Sequence, residues 1–246
     1  AAVAERLGYE DPFLAVREPF QMWGIQGDES LKERLPFVKA GLPGVFVTPD
    51  VTPYKKRKVR ILNGAHTAFV PGSWVAGFDI VRDCMHDETI RGFMNIMLYD
   101  EVIPTLAADL DVEDCKAFAA AVENRFDNPF IDHALLSICL NSTAKWRARD
   151  LPTLKDYVAE TGNLPKCLST SLATLIAFYT QELVAREGDG LHLRRADGTE
   201  YPAQDDAFVL DFYAAHAVAG LEEFVVDALA VVRAEGVKQA FANAQA

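Results

Sequence analysis

Cysteine and long apolar runs are scarce in this chain. The four cysteines (Cys84, Cys115, Cys139 and Cys167) are far apart, form no Cys-x-x-Cys pair and show no metal-site spacing, so we expect reduced thiols in the core. No apolar run reaches the ~18 residues of a membrane span, and the first residues lack the layout of a secretion signal. The sequence therefore predicts a cytoplasmic protein with no membrane partner.

Positive charge is also in deficit. Lys and Arg number 24 against 36 Asp and Glu, so the formal net charge is -12. A chain with this balance repels phosphate backbones and anionic lipid surfaces. We therefore expect no nucleic-acid partner.

Several enzyme motifs are missing. There is no Gly-x-Ser-x-Gly elbow, no His-Glu-x-x-His and no phosphate loop with Gly-Lys-Ser or Gly-Lys-Thr. The nearest approach to a dinucleotide loop, Gly188-Asp-Gly190, lacks the third glycine and follows a predicted helix instead of a strand. Nothing supports a hydrolase or a kinase, and no cofactor-binding domain is visible.

Turn-forming residues concentrate between residues 9 and 54, where only short strands fit, such as Phe20 to Ile25 and Val45 to Thr48. From Lys55 onward, apolar residues recur at helical spacing. The predicted helices cover residues 57–69, 73–85, 88–107, 112–125, 131–147, 153–160, 167–186, 206–217 and 219–241. The sequence thus predicts a mainly α-helical domain with a few short strands.

Local signals predict several boundaries. Pro71-Gly72 is expected to end the first of these helices. Three aspartates are expected to cap later helices: Asp87, Asp111 and Asp205. Asp197-Gly198 suits a tight primed turn, which predicts one small β-hairpin between residues 190 and 202.

The densest chemistry is the group Lys58, Asn63 and His66. A lysine with a depressed pKa can act as a general base, and an amide and an imidazole can both hold a carbonyl or alkoxide oxygen. On an α-helix Asn63 and His66 share a face, but steps of about 100° per residue turn Lys58 about 140° away from Asn63. The spacing also fits a solvated lysine, a capping asparagine and a core histidine.

Other charged residues allow two interpretations each. The run Lys55 to Lys58 with Arg60 is either a solvated helix start or a positive mouth for a small anionic substrate. Lys145 either binds a carboxylate or stabilises a helix end. His133 is interpreted as a surface residue.

Together these residues resemble the polyol-specific long-chain dehydrogenases, the mannitol dehydrogenase family. The pattern Lys58, Asn63, His66 matches the active-site signature of that family. Further stretches agree in the same order: Leu7-Gly8-Tyr9, Glu18-Pro-Phe-Gln-Met-Trp23, Arg125-Phe-Asp-Asn-Pro129 and Lys145. The resemblance implies a multi-helical C-terminal substrate domain of the mannitol dehydrogenase type.

The resemblance also implies a domain organisation. Residues 1–17 would be an interdomain segment and residues 18–246 the helical substrate-binding and catalytic domain. NAD would be bound mainly by an N-terminal Rossmann domain that is absent from this chain. The isolated chain is therefore expected to be inactive.

The resemblance assigns roles as well. Lys58 would be the acid and base, Asn63 and His66 would hold the carbonyl oxygen, and no metal would be required. The substrate would be bound by Lys145, Lys55 and Arg125.

Within the family, residues 53–67, 136–142 and 201–207 most resemble members that interconvert tagaturonate and altronate. Mannitol-type members tend to have an arginine at the position of Ser137 and a glutamate at that of Lys55, so a small sugar-acid substrate is expected. Three alternatives remain: a fructuronate reductase or mannitol/fructose-type domain, an aldolase-type enzyme with a Schiff base on Lys58, and a non-catalytic helical interaction module.

Overall fold

The computed structural model describes residues 2–14, 20–188, 190–215 and 223–246, with backbone only at residue 2 and residues 223–227. The chain divides into two compact units, Ala1–Tyr54 and Lys55–Ala246. The predicted start of the substrate domain at residue 18 stays a prediction.

The first unit combines short helices with two paired strands. Its elements are α1 (Ala2–Leu7), β1 (Trp23–Gln26), α2 (Ser30–Arg34), α3 (Pro36–Lys39) and β2 (Val45–Thr48). β1 and β2 run parallel, with Trp23 opposite Val45. β2 has the predicted bounds, whereas β1 begins at Trp23 and not at Phe20. Glu18 and Pro19 lie outside the described residues.

The second unit is mainly helical, as predicted. It begins within α4 (Thr52–Arg57), which continues into a π-helical turn (Lys58–Asn63) and then into α5 (Gly64–Val75). The later helical elements are α6 (Val81–His86), α7 (Glu88–Ile96), a second π-helical turn (Met97–Val102), a 3-10 turn (Pro104–Leu106), α8 (Val112–Phe126), α9 (Leu135–Ile138), α10 (Ser142–Arg149), α11 (Leu151–Thr161), α12 (Lys166–Tyr179), α13 (Ala207–Ala214), α14 (Glu223–Glu235) and α15 (Val237–Gln245).

The predicted hairpin is confirmed and has a third strand. β4 (Gly190–Arg194) and β5 (Glu200–Gln204) pair around Asp197-Gly198, and β3 (Glu182–Glu187) pairs antiparallel with β4 on its other side. A strand, not the predicted helix, therefore precedes the Gly188 to Gly190 connection. Asp189 lies outside the described residues.

The core of the second unit is built around α5 and α12, which pack against each other. The contact is close at Gly72, where an added Cβ would lie 2.7 Å from Phe241 Cζ and 2.9 Å from Thr174 Cβ. The four cysteines are buried and free, which confirms the prediction of reduced core thiols. In the described part of the chain, no helix is both long and apolar enough to cross a membrane.

The predicted helix end at Pro71-Gly72 is wrong, because α5 continues to Val75. A proline inside a helix removes one backbone hydrogen bond. Burial of Phe69 and Val70 in the core, together with the close packing at Gly72, offsets that loss. The predicted helix over residues 73–85 is consequently wrong as well, since α6 begins only at Val81.

Other predicted helices are shorter than expected. The one over residues 131–147 is divided into α9 and α10 at Asn141, whose φ is 53°. The one over residues 167–186 ends at Tyr179, after which β3 begins, and Gly236 (φ 90°) separates α14 from α15. The predictions over residues 112–125 and 153–160 correspond to α8 and α11. Residues 216–222 lie outside the described part.

Two of the three predicted caps are confirmed. Asp87 accepts hydrogen bonds from the backbone N–H groups of Thr89 and Ile90, and Asp111 accepts one from Asp114. Asp205 does not cap α13, because its Oδ2 accepts hydrogen bonds from Thr143 N at 3.1 Å and from the Tyr179 hydroxyl at 2.6 Å. It therefore binds the first turn of α10, a helix distant in sequence.

Candidate active site

The predicted pair Lys58 and Asn63 forms the two ends of the π-helical turn between α4 and α5. In a π-helix each N–H bonds to the carbonyl five residues earlier, so residues five apart come nearly into line. The expected separation of about 140° is wrong, because it assumed an α-helical step. His66 follows on α5, one turn after Asn63. The three residues therefore occupy one side of a continuous helical path.

Asn63 and His66 have polar atoms without partners. Asn63 Oδ1 and His66 Nε2 are buried and accept or donate no hydrogen bond within the described part of the chain. Asn63 has helical dihedrals and makes no side-chain cap hydrogen bond, so the interpretation as a capping residue does not hold. Buried polar groups without partners cost stability, and they suit a site that a ligand completes.

The His66 ring lies in an aromatic setting. It stacks on Phe126, with ring centroids 4.0 Å apart, and the ring of His133 meets it edge-on at 5.5 Å. Burial first, and then the positive charges around it, together lower the pKa of His66 from 6.5 to about 3. The imidazole is therefore neutral near pH 7 and offers Nε2 as a donor or an acceptor, depending on the tautomer.

Lys58 is set up to release its proton. Its side chain is exposed as a whole and forms no hydrogen bond or ion pair with the described residues. Partial desolvation lowers the pKa of its ammonium group, and the charges of Arg149 and Arg125 lower it further. A lysine with a lowered pKa is a better general base at moderate pH.

The basic run divides into two groups. Three members form ion pairs with aspartates: Lys56 with Asp109, Arg57 with Asp114 and Arg60 with Asp156. Lys55 and Lys58 are exposed and have no carboxylate partner among the described residues. The first group is neutralised by aspartates and is not simply a solvated helix start, and the second group carries the charge that can attract an anion.

Two basic side chains come from α10, which packs against α5 and the π-helical turn. Lys145 and Arg149 are four residues apart and so share a face. Lys145 Nζ donates to Ile138 O at 2.9 Å, and Arg149 Nη1 donates to Thr67 Oγ1 at 3.0 Å. The Thr67 hydroxyl in turn donates to Asn63 O at 2.9 Å.

Sequence reasoning did not single out Arg149 and took His133 for a surface residue. The available signal for Arg149 was its four-residue spacing from Lys145 on a helix. His133 is indeed exposed, yet its ring contacts His66. No sequence signal indicated that contact.

The structure brings most of the predicted residues together. Arg125, in the last turn of α8, lies near enough for its charge to lower the pKa values of Lys58 and His66. Lys145 lies near Arg149. Desolvation lowers the pKa of Lys145 most, and the charge of Arg149 lowers it further. Lys55 lies on α4, three residues before Lys58. The described residues contain no cluster of three potential metal ligands.

A helical unit with a lysine, an amide and an imidazole on one side of a π-helical turn points to a known class of proteins. The chain belongs to the family described as Mannitol dehydrogenase C-terminal domain, whose sequence profile matches residues 50–199. The predicted family resemblance is thereby confirmed.

Relatives within this class are named altronate oxidoreductase. The chain is 44% identical over 212 residues to that of Enterobacter sp. (strain 638), which covers 86% of this chain and 41% of the relative. It is 45% identical over 207 residues to that of Klebsiella pneumoniae (strain 342), covering 84% and 40%. The chain thus spans less than half the length of these relatives.

Solved structures confirm the fold. The Pseudomonas fluorescens mannitol 2-dehydrogenase, in a ternary complex with NAD and D-mannitol, aligns with a TM-score of 0.71 at 21% identity, over 92% of this chain and 46% of that chain. A D-sorbitol dehydrogenase in substrate-free form gives 0.73 at 20% identity, over 98% and 50%. These likenesses show the predicted mainly helical fold of the mannitol dehydrogenase type.

Proposed function

We propose that this chain is the substrate-binding and catalytic domain of an NAD-dependent oxidoreductase that interconverts tagaturonate, a keto-hexuronate, and altronate. Family membership and the names of the relatives support the reaction class. The observation that carries the proposal is the alignment of Lys58, Asn63 and His66 on one side of the π-helical turn. These groups supply a proton donor or acceptor next to two oxygen-binding side chains.

Lys58 is the acid and base of the reaction. In oxidation its neutral amine takes the proton of the alcohol, and in reduction its ammonium group returns a proton to the carbonyl oxygen. Its lowered pKa favours both steps, because the proton is transferred best when the pKa of the group lies near the working pH.

Asn63 and His66 hold the reacting oxygen. His66 Nε2 has no partner within the described residues, and its N–H can donate to the substrate oxygen. Asn63 would donate to that oxygen through its amide Nδ2, and its unpartnered Oδ1 can accept from a neighbouring substrate hydroxyl. Hydrogen bonds to that oxygen strengthen as negative charge develops on it, which lowers the barrier. The neutral state of His66 suits this role, since its ring can donate without a preceding proton uptake.

NAD, when bound, accepts or supplies the hydride at the substrate carbon. The unpartnered His66 Nε2 fits a donor to the substrate oxygen on that carbon. The sequence has no complete glycine loop for a pyrophosphate, so we assign dinucleotide binding mainly to an N-terminal Rossmann domain. In this proposal residues 1–17 connect the two domains, and residues 18–246 alone do not turn over substrate.

The positive charge around the site favours an acidic sugar. The charge of Arg125 acts on Lys58, the charge of Arg149 acts on Lys145, and Lys55 lies three residues before Lys58. We assign Arg125, Lys145 and Lys55 to substrate binding. A cationic site attracts a hexuronate more strongly than a neutral ketose.

The reaction is tested by NADH oxidation with the full-length enzyme, comparing tagaturonate, fructuronate and fructose. Tagaturonate is expected to give the highest kcat/KM. If fructose is much the best substrate, the assignment to a uronate is wrong.

The role of Lys58 is tested with Lys58→Ala and the control Lys155→Ala, which alters an exposed lysine of α11. Lys58→Ala is expected to lower kcat by about 10³-fold with an unchanged circular dichroism spectrum, and Lys155→Ala to leave kcat unchanged. A substrate adduct trapped on Lys58 by borohydride would instead favour Schiff-base chemistry. Unchanged turnover in Lys58→Ala would favour a non-catalytic module.

A further inference from the structure

Arg149 is the shared neighbour of the cationic groups in the candidate active site. It projects from α10, which packs against both α5 and the π-helical turn. Desolvation lowers the pKa values of Lys58, His66 and Lys145 most, and the charge of Arg149 contributes to the lowering of all three. The guanidinium therefore lies among the residues assigned to proton transfer and substrate binding.

No carboxylate pairs with Arg149 within the described residues. The adjacent Asp150 is 1% exposed and points beneath α5, where its Oδ1 lies 2.8 Å from the position that a Cβ on Gly64 would occupy. Burial raises the pKa of Asp150, while the charges of Arg149 and Arg60 oppose that rise. Arg60, by contrast, is paired with Asp156. The charge of Arg149 is thus left for a ligand.

The orientation of Arg149 is fixed by a neutral group. Nη1 donates to the Thr67 hydroxyl, and that hydroxyl donates to the backbone of Asn63, which ties the guanidinium to the π-helical turn. The other N–H groups of Arg149 make no hydrogen bond in the described part of the chain. Lys145 uses one donor on Ile138 O and keeps two.

We propose that Arg149, oriented by Thr67 and flanked by Lys145, binds the carboxylate group of the substrate and makes the site select sugar acids over neutral sugars. A guanidinium presents a planar fork of donors that matches a carboxylate in a bidentate manner, whereas a lysine offers a point charge. This inference rests on the proposed function, because it assigns the acidic end of the same substrate.

The test uses the full-length enzyme and compares kcat/KM for tagaturonate with kcat/KM for tagatose, the neutral ketose of the same configuration. Arg149→Gln is expected to lower the ratio of kcat/KM for tagaturonate to kcat/KM for tagatose by about 100-fold. The loss should come mainly from a higher KM for tagaturonate, because a charged hydrogen-bonded pair is lost. Arg149→Lys keeps the charge without the fork and is expected to lower the ratio by about 10-fold.

Arg147→Gln is the matched control. Arg147 is exposed on the same helix, and the variant is expected to keep the wild-type ratio. Equal losses on both substrates in Arg149→Gln and Arg149→Lys would overturn the inference, because Arg149 would then act only by supporting the site. If Arg149→Gln does not fold, the test rests on Arg149→Lys. An Arg149→Lys enzyme with the wild-type ratio of kcat/KM values would also overturn the inference.

The two proposals fail in different ways. A wild-type enzyme that reduces no keto-hexuronate contradicts the proposed function itself. A wild-type enzyme that reduces tagaturonate, combined with an unchanged ratio in both Arg149 variants, contradicts only the role of Arg149.

Discussion

Lys58 and Asn63 are the first and last residues of one π-helical turn, which brings them to the same side of the helical path from α4 to α5. An α-helix of the same sequence would turn them about 140° apart. Single π-helical turns within helices occur frequently at functional sites. The site thus depends on a local change of helix type more than on the residue spacing alone.

Asn63 is predicted to matter for activity and little for stability. Asn63→Ala removes a buried oxygen that has no partner among the described residues, so no intramolecular hydrogen bond of that atom is lost. We expect kcat/KM to fall by about 10²-fold, because one group that binds the reacting oxygen is missing. Thermal unfolding should change little. The control Asn95→Ala, on α7, should leave kcat/KM unchanged; a similar loss in both variants would contradict the role of Asn63.

The dependence of the reaction rate on pH should report the lowered pKa of Lys58. Desolvation and the charges of Arg149 and Arg125 lower this pKa. Because the neutral amine is the base, the oxidation rate should rise as the pH increases through the pKa of Lys58, and the reduction rate should fall. Arg125→Gln removes a positive charge, so the pKa of Lys58 should rise and the oxidation profile should move to higher pH. Arg147→Gln serves as the control, and a shift of the Arg125→Gln profile to lower pH would contradict the assignment.

His66 should make the fold sensitive to acid. Its pKa is lowered from 6.5 to about 3 in the folded state, so below pH 6.5 the unfolded chain binds a proton that the folded chain does not. Stability is therefore lost as pH falls from 6.5 towards 3, by at most about 1.4 kcal/mol per pH unit from this group. Urea unfolding at pH 7 and pH 5 should show a smaller loss for His66→Phe than for the wild type. Equal losses would show that the ring titrates normally.

Asp205 should stabilise the first turn of α10. Asp205→Ala leaves the Thr143 N–H and the Tyr179 hydroxyl without this acceptor, and each such group costs about 1–3 kcal/mol. The free energy of unfolding should fall accordingly. The KM of the full-length enzyme should rise, because α10 carries Lys145 and Arg149.

Asp206→Ala is the matched control for this prediction. Asp206 precedes α13 and makes no side-chain cap hydrogen bond, so the change in stability should stay within about 0.5 kcal/mol. A larger loss in Asp206→Ala than in Asp205→Ala would contradict the assigned roles of the two aspartates.

Much of the helical architecture could be predicted, because its signals are local. Apolar spacing locates α8 and α11, an aspartate directly before each helix identifies the caps at Asp87 and Asp111, and Asp197-Gly198 marks the turn of the hairpin. The same signals failed at Pro71-Gly72, where packing against Thr174 and Phe241 favours a continued helix.

The sequence by itself determined the helical class, the buried free cysteines and the residue types of the candidate active site, since these follow from composition, periodicity and a short motif. Only the tertiary structure decided the π-helical turn that aligns Lys58 with Asn63, the junction of Asp205 with Thr143 and the contact of Arg149 with Thr67. The last two join residues 62 and 82 positions apart. The first of these two contacts depends on how the segment after β5 meets α10, and the second depends on how α5 and α10 pack. Packing between distant segments leaves no periodic signal in either segment.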